Sequence, residues 1–418
     1  MVRSLRITFA AGVLAASLSH GATAQTYQLT NIGIVSGASF SKPTVLDDTG
    51  GIIRVAGTSA DKFGTAMSCW YWESGMAAGS PATIGPGTPY DVSHKGEVVG
   101  GGGNAFYWTR TSGYVALPFP ATTPDGLSPF IDSHGRGAWA NSINESGIIC
   151  GTVSRYDLNS LPVVWQKVAG VWQVQYLAFL AGSPTASNGS VAAVSINEAG
   201  DIAGQVPSPT VPNSNRAVVW KNSAGPTAPA YGSPTDAGLT TETTLVDSSS
   251  VAINNNATAQ VAGTGFDLAG NVHRFVWVPG FAPASFDAAS VYGFSDDGAV
   301  AGSTYAFAGG ALRAYYYKDG TMVDCGSLGG GKSSGSDVNS SGEVVGQSIT
   351  TANSATYAFV WKNGSTMKNL GKLVTTGLGP FSRLTNARKI GGGGNITGEG
   401  ITQKGGYSQA YVLKKTSP

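Results

Sequence analysis

Residues 337–348 read DVNSSGEVVGQS, a polar turn followed by a glycine and an alternating apolar segment that ends in a second glycine. Close copies are SINESGIICGTV (142–153), SINEAGDIAGQV (195–206) and FSDDGAVAGST (294–304). With four weaker copies there are eight, and their second glycines are Gly57, Gly100, Gly151, Gly204, Gly263, Gly302, Gly346 and Gly398. Eight copies of one unit predict a repeat architecture.

A second landmark follows each glycine, an apolar strand that ends in one large residue. These residues are Trp72, Trp108, Trp165, Trp220, Trp277, Tyr317, Trp361 and Leu413. They follow their glycine by 14 to 16 residues in seven copies and by 8 in the second copy. A turn such as KNG and a last short strand such as TMKNLG complete the unit, which is therefore expected to form four strands.

The composition agrees with short strands joined by turns. Charged residues make up 12% of the chain, Gly occurs 60 times, and 41% of residues are hydrophobic, which is enough to build a core. Four strands in about 49 residues predict a blade of an all-β protein, the β-propeller. Residues 25–418 are expected to form one domain of eight such blades.

The ends of the chain predict how the ring closes. The N-terminal string YQLTNIG (27–33) is similar to the fourth strand TMKNLG (366–371), while the last copy stops after its third strand, QAYVLKK (409–415). Residues 27–33 are therefore expected to pair beside 409–415 and complete the last blade. Two alternatives remain: seven blades, if the eighth copy with its glycine run at 391–394 forms only a plug, or an open β-solenoid.

These strings resemble those of the HAF-repeat proteins, probable extracellular repeat proteins of bacteria. The resemblance rests on DVNSSGEVVGQS, on AFVW (358–361) and on the LGG string at 328–330, and it covers nearly all of residues 27–415. It implies export and a bacterial source. It implies no catalytic residues, because the family carries none that are established.

The first 24 residues predict a secretory signal peptide. Arg3 and Arg6 precede the apolar segment 7–18, and Ala22 and Ala24 form a small-x-small cleavage pattern. Secretion is expected, with the periplasm as the alternative, because no C-terminal sorting segment is evident. Removal of two Arg changes the net charge from +1 to −1. Without a basic cluster, binding to nucleic acid is not expected. No membrane span is expected after cleavage, and a monomer is expected.

Several short motifs resemble the signatures of catalytic or ligand-binding sites. GSLGGGKS (326–333) matches a phosphate-binding loop and GKSSG (331–335) a nucleophile elbow, but both need a following helix, and a strand is predicted there. Cys69, Cys150 and Cys325 lack metal-ligand spacing and are expected to be buried, although one disulfide remains an alternative. The acid pairs 47–48 and 296–297 occupy turn positions, which turn chemistry explains. No metal site and no cofactor are expected.

Two classes of function remain. Titratable groups are sparse, which favours a non-catalytic binding module for a glycan or an extracellular protein over an enzyme. The alternative is a propeller hydrolase or lyase that acts on extracellular polysaccharide. If a site exists, it is expected on the innermost strand of each blade. Among the residues of these strands that depart from Ser, Ala and Val, the candidates are the polar or aromatic residues Tyr90, Asp91, Asn141, Tyr292, Asp337 and Arg383.

Overall fold

The computed structural model describes residues 25–416 apart from 103, 122–136, 155–159, 185–190, 226–228, 237–244, 268, 280, 282, 308 and 352–354. The predicted signal peptide, 1–24, lies outside the described residues. The described residues form strands joined by turns, with two single 3₁₀ turns (Thr49–Gly51 and Leu370–Lys372) and no α-helix. The all-β prediction is confirmed. No helix capable of crossing a bilayer occurs in this described part.

Within the described residues the strands fall into eight antiparallel groups of four, named sheets 1 to 8. Sheet 1 holds β2 (Phe40–Asp47), β3 (Arg54–Ala60), β4 (Ala66–Glu73) and β5 (Ala82–Gly85). Sheet 2 holds β6 (Thr88–Val92), β7 (Val98–Gly101), β8 (Phe106–Thr109) and β9 (Gly113–Ala116). Sheet 3 holds β10 (Ala138–Ile143), β11 (Ile149–Ser154), β12 (Ser160–Val168) and β13 (Val171–Tyr176). Sheet 4 holds β14 (Ala192–Ile196), β15 (Ile202–Pro207), β16 (Asn215–Trp220) and β17 (Thr235–Asp236).

The other four sheets repeat this order. Sheet 5 holds β18 (Leu245–Ile253), β19 (Val261–Asp267), β20 (Val272–Trp277) and β21 (Ala284–Phe286). Sheet 6 holds β22 (Ser290–Phe294), β23 (Val300–Thr304), β24 (Arg313–Lys318) and β25 (Thr321–Asp324). Sheet 7 holds β26 (Gly329–Val338), β27 (Glu343–Thr350), β28 (Thr356–Lys362) and β29 (Lys368–Asn369). Sheet 8 holds β30 (Phe381–Ile390), β31 (Ile396–Thr402), β32 (Ser408–Lys415) and, from the other end of the chain, β1 (Tyr27–Gly33).

The fourth strand of sheet 8 is the N-terminal strand. β1 pairs antiparallel with β32, from Tyr27 opposite Lys415 to Gly33 opposite Ala410. Sheets 2 and 3 are joined by a single further pair, Trp139 with Gly101. The first strand of each sheet runs toward the turn that leads into its second strand, so these eight turns lie at the same end of their sheets.

A β-bulge interrupts the first strand of every sheet. The residue before each bulge pairs with one of the eight repeat glycines. A Cβ on Gly204 would lie 2.1 Å from the carbonyl oxygen of Ala192, and a Cβ on Gly346 would lie 2.0 Å from that of Ser334. A side chain cannot fit at that distance, which explains why this position of the repeat is Gly.

Large side chains fill the space between neighbouring sheets. The eight large residues that the sequence marks on the third strands are all buried. Trp165 packs with Val99 and Tyr107 of sheet 2, and Trp220 packs with Cys150 and Val164 of sheet 3. The cluster that contains Trp72 also contains residues of sheet 8, namely Ile32, Ala410 and Val412. The hydrophobic core is thus a series of clusters, each between two sheets.

The sequence motifs that imitate chemistry have structural explanations. Residues 329–338, which include GKSSG and the end of GSLGGGKS, form strand β26. Neither a phosphate-binding loop nor a nucleophile elbow is present there, because both require a helix after the loop. Cys69, Cys150 and Cys325 are buried, and none of the three forms a disulfide.

Candidate functional site

A cavity of about 630 Å³ lies where the first strands of all eight sheets meet. Each first strand contributes one to three residues to its wall, among them Val45, Tyr90, Asp91, Ser142, Ser195, Ala252, Phe294, Asp337 and Lys389. One end of the cavity is formed by the turns after these strands, through Glu198, Asn255, Asp296, Ser340 and Gly392. We call this space the central cavity and these turns the rim turns.

The structure brings three of the six predicted site residues into the central cavity. Tyr90, Asp91 and Asp337 line it, whereas Asn141, Tyr292 and Arg383 are not among its lining residues. Tyr90 is the extra residue of the β6 bulge, and its side chain is 40% exposed. An accessible tyrosine therefore stands beside a partly buried carboxylate on the cavity wall.

Asp91 connects two sheets. Its Oδ2 accepts hydrogen bonds from Ser142 Oγ at 2.7 Å and from the backbone N–H of Ile143 at 3.0 Å, and its Oδ1 accepts from the N–H of Val92 at 2.8 Å. Burial raises the pKa of Asp91 above its ordinary value, while these hydrogen bonds and the charge of Lys389 act in the opposite direction. Both oxygens of this carboxylate thus accept hydrogen bonds, and those to Oδ2 hold sheet 2 to sheet 3.

Asp337 repeats this arrangement in sheet 7. Its Oδ2 accepts a hydrogen bond from the backbone N–H of Ile390 in sheet 8 at 3.1 Å, and Lys389 Nζ lies 3.8 Å from its Oδ1. Burial raises the pKa of Asp337, and Lys389 opposes that shift. Because Lys389 acts on the pKa of both Asp91 and Asp337, the cavity wall carries two carboxylates and one ammonium group that interact.

The other three predicted residues serve different contacts. Asn141 is a bulge residue whose Nδ2 donates to the carbonyl oxygen of Ala193 in the next sheet at 2.8 Å. Tyr292 is also a bulge residue and is 58% exposed. Arg383 lies near the start of β30, away from the turn end of that strand, and its Nε is buried without a hydrogen-bond partner.

Side chains of the rim turns hold the neighbouring turn. The backbone N–H of His94 donates to Glu145 Oε1 at 2.8 Å, and that of Glu145 donates to Glu198 Oε2 at 3.0 Å. In the same way, the backbone N–H of Glu198 donates to Asn255 Oδ1, and that of Asn255 donates to Asp296 Oδ1.

The two acid pairs of the sequence belong to these turns. Asp48 accepts from the N–H of Gly393 at 3.0 Å, and Asp47 forms an ion pair with Arg54 at 2.8 Å. Asp297 is paired with Lys318, and Asp296 accepts from the N–H of Asn255. Turn and rim structure therefore account for all four carboxylates, as the sequence predicts.

Sequence reasoning missed Lys389 and the rim residues Glu198 and Asn255, and it assigned Asp296 to a turn without placing it at the cavity. Their signal was available, because they occupy the same two positions of the repeat, directly after the bulge and directly after the first turn residue. In the described part of the chain no three His, Cys, Asp or Glu side chains cluster in a way that would hold a metal ion. The cavity offers hydrogen-bonding groups, the aromatic rings of Tyr90 and Phe294 and one ammonium group, which suits recognition of a polar molecule.

The similarities of this chain to known proteins concern the fold alone. No protein-family model and no curated protein matches this chain. The β-propeller domain of the Trilobed protease from Pyrococcus furiosus is 11% identical over 79% of this chain and 98% of that chain, with a TM-score of 0.42. The BP39L lectin from Burkholderia pseudomallei is 11% identical over 82% of this chain and 98% of that chain, with a TM-score of 0.42.

A third similar structure is the acylaminoacyl peptidase of Pyrococcus horikoshii, 9% identical over 92% of this chain and 53% of that chain, with a TM-score of 0.42. Identities this low transfer no residue role and no ligand. The resemblance to HAF-repeat proteins stays a prediction.

Proposed function

We propose that the eight sheets are the blades of a closed eight-bladed β-propeller and that the chain is an exported, non-catalytic binding module. Closure by β1 is supported by its pairing with β32 and by the cluster that joins sheet 8 to sheet 1. A seven-bladed ring is disfavoured because the eighth copy forms strands β30 to β32 instead of a plug. An open solenoid would leave sheets 1 and 8 apart.

The observation that carries the binding role is the central cavity. Every sheet contributes to it, so its shape is fixed by the whole fold and not by one loop. Its carboxylates are engaged in hydrogen bonds between sheets, which leaves few groups for proton transfer and many for recognition. An accessible Tyr90 ring beside amide, hydroxyl and carboxylate groups matches a sugar, which presents an apolar C–H face and several hydroxyls.

The ligand class that we propose is therefore a glycan, bound outside the cytoplasm after removal of residues 1–24. The secreted state is favoured over the periplasmic one, as the sequence predicts, and the monomer is the expected state. An extracellular protein partner is the competing occupant. It would bind across the rim turns instead of inserting one group into the cavity.

A glycan array with the purified protein 25–418 tests this proposal. Tyr90→Ala is expected to abolish retention of the bound glycan, while Tyr292→Ala, at the same bulge position in sheet 6 but outside the cavity, leaves it unchanged. Both variants should melt like the wild type, because both rings are exposed. Retention of no glycan, or equal loss in both variants, contradicts a glycan site in the central cavity.

The hydrolase or lyase alternative is favoured by one feature, the raised pKa values of Asp91 and Asp337, because carboxyl groups that keep a proton near neutral pH serve as general acids. Release of reducing ends or unsaturated products from extracellular polysaccharides would support it. The loss of that activity in Asp91→Asn and Asp337→Asn would be required as well. The binding proposal predicts no product in either assay.

A further inference from the structure

Arg274 breaks the repeat at a position that is otherwise small. It precedes the residue paired with the repeat glycine, Phe275 opposite Gly263. The residues at the same position of the other seven sheets are Cys69, Ala105, Pro162, Ala217, Ala314, Ala358 and Ala410. They are buried between sheets. A charged guanidinium group thus replaces a small side chain in one interface of eight.

The guanidinium group is poorly satisfied by the protein. Arg274 is 9% exposed, and its Nη2 donates to the carbonyl oxygen of Ala289 at 2.5 Å. Its Nε and Nη1 have no hydrogen-bond partner. Among the described residues no carboxylate lies within ion-pair distance of it. A buried cation without a direct ion pair is costly, so this Arg needs an explanation other than stability.

Arg274 lines a second cavity of about 640 Å³ between sheets 5 and 6. The wall also contains Asn271, His273, Asp287 and Tyr305, and Tyr305 is 60% exposed. These residues lie where β20 begins and where β21 leads into β22, at the end of the sheets opposite the rim turns. The two cavities share no lining residue.

We propose that this second cavity binds the carboxylate of an acidic sugar, with Arg274 as the residue that holds the charge. The guanidinium group supplies the positive charge and N–H donors that a carboxylate requires. Asn271, Asp287 and the accessible ring of Tyr305 supply partners for the hydroxyls and the apolar face of the sugar ring. The ligand class is therefore a uronic acid or a saccharide that contains one.

The lining distinguishes an acidic sugar from a small inorganic anion. Asp287 is exposed and contributes to the electrostatic environment of Arg274. Its carboxylate repels a sulfate or phosphate ion that fills the cavity, whereas it accepts a hydrogen bond from a sugar hydroxyl. Arg274 alone would suit any anion, but Arg274 together with Asp287 suits a molecule with one acidic group and several hydroxyls.

Titration calorimetry with D-glucuronic acid tests this proposal on the protein 25–418. The wild type is expected to bind the acid, and Arg274→Ala is expected to weaken binding by about tenfold to a hundredfold, because a charge-assisted hydrogen bond is lost. D-glucose, which lacks the carboxylate, should not bind at this site. Because Ala is the residue at five of the other seven positions, Arg274→Ala is expected to fold and to melt at the wild-type temperature or above it.

Arg110→Ala is the matched control, because Arg110 is an exposed arginine of sheet 2 that pairs with Glu73. It should bind glucuronic acid like the wild type. The proposal is overturned if the wild type does not bind glucuronic acid, if Arg274→Ala binds it equally well, or if sulfate competes as strongly as the acid. Tyr90→Ala must leave this binding unchanged, which separates it from the central cavity.

Discussion

Asp91 on β6 accepts a hydrogen bond from the backbone N–H of Ile143, 3.0 Å away on β10 of the next sheet. Asp337 and Ile390 form the same contact between sheets 7 and 8 at 3.1 Å. Two carboxylates at one position of the repeat thus connect neighbouring first strands at the wall of the central cavity. The contacts between sheets therefore explain why Asp91 and Asp337 are polar, whether or not they also bind a ligand.

The stability of the protein should depend on the protonation of Asp91. Burial raises its pKa above 3.8, so the folded protein holds this proton more tightly than the unfolded chain. The stabilisation is full below pH 3.8 and is lost as the pH rises through the raised pKa. Urea unfolding is measured between pH 4 and 7, a window of about 3 pH units. Over this window Asp91 should lower the free energy of unfolding of the wild type as the pH rises, and Asp91→Asn should lack this contribution.

Asp267 provides a control of opposite sign. Hydrogen bonds from Asn271 lower its pKa to about 2, so its stabilisation is present above 3.8 and is lost as the pH falls toward 2. Asp267→Asn should therefore leave the slope of the free energy of unfolding against pH unchanged above about pH 4. Equal slopes for wild type and Asp91→Asn would contradict the effect of burial on Asp91.

The large residues between sheets should dominate stability. Trp220 and Trp361 are buried, and Trp220 Nε1 also donates to the carbonyl oxygen of Ala178. Truncation of either to Ala is expected to cost about 3 to 5 kcal/mol, because apolar contact is lost and a cavity remains. Thermal melts measure this. Trp172→Ala, outside the repeated position and partly exposed, should cost less, and unchanged melting of both core variants would refute their role as fillers.

The repeat glycines should tolerate no side chain. In Gly204→Ala the new Cβ meets the carbonyl oxygen of Ala192 at 2.1 Å, so β14 and β15 must separate. A cost of about 1 to 3 kcal/mol is expected from this overpacking. Gly232→Ala is the control, because nothing lies within 4 Å of its Cβ. Denaturant midpoints that fall equally in both variants would show that steric exclusion does not explain the repeat.

The spacing of glycines and large residues predicts the strands because both landmarks have a steric cause, a close carbonyl at Gly204 and a buried interface at Trp220. The same spacing cannot predict which side chains face the cavity. An extra residue in each bulge breaks the alternation of a strand, so Tyr90 lines the cavity while Asn141, also a bulge residue, contacts the next sheet. In the sequence only its charge distinguishes Arg383, whereas Lys389, six residues later, lies in the wall.

The N-terminal strand is expected to be essential for assembly of the last sheet. β1 contributes Tyr27 to the cluster between sheets 7 and 8 and Ile32 to the cluster between sheets 8 and 1. Deletion of residues 25–33 removes both and leaves β32 with an unpaired edge, which favours association with other chains. Size-exclusion chromatography and thermal melts should therefore show aggregation and a lower, broader transition than for the protein 25–418.

A peptide of residues 25–36, added in excess, should reverse the aggregation and raise the melting temperature, because it supplies the missing strand without the covalent link. The same peptide with Tyr27→Asp and Ile32→Asp should fail, since both side chains enter clusters that exclude water. A truncated protein that melts like the intact one would show that β1 is an accessory strand. Rescue by both peptides would show that the side chains of Tyr27 and Ile32 do not determine the pairing of β1 with β32.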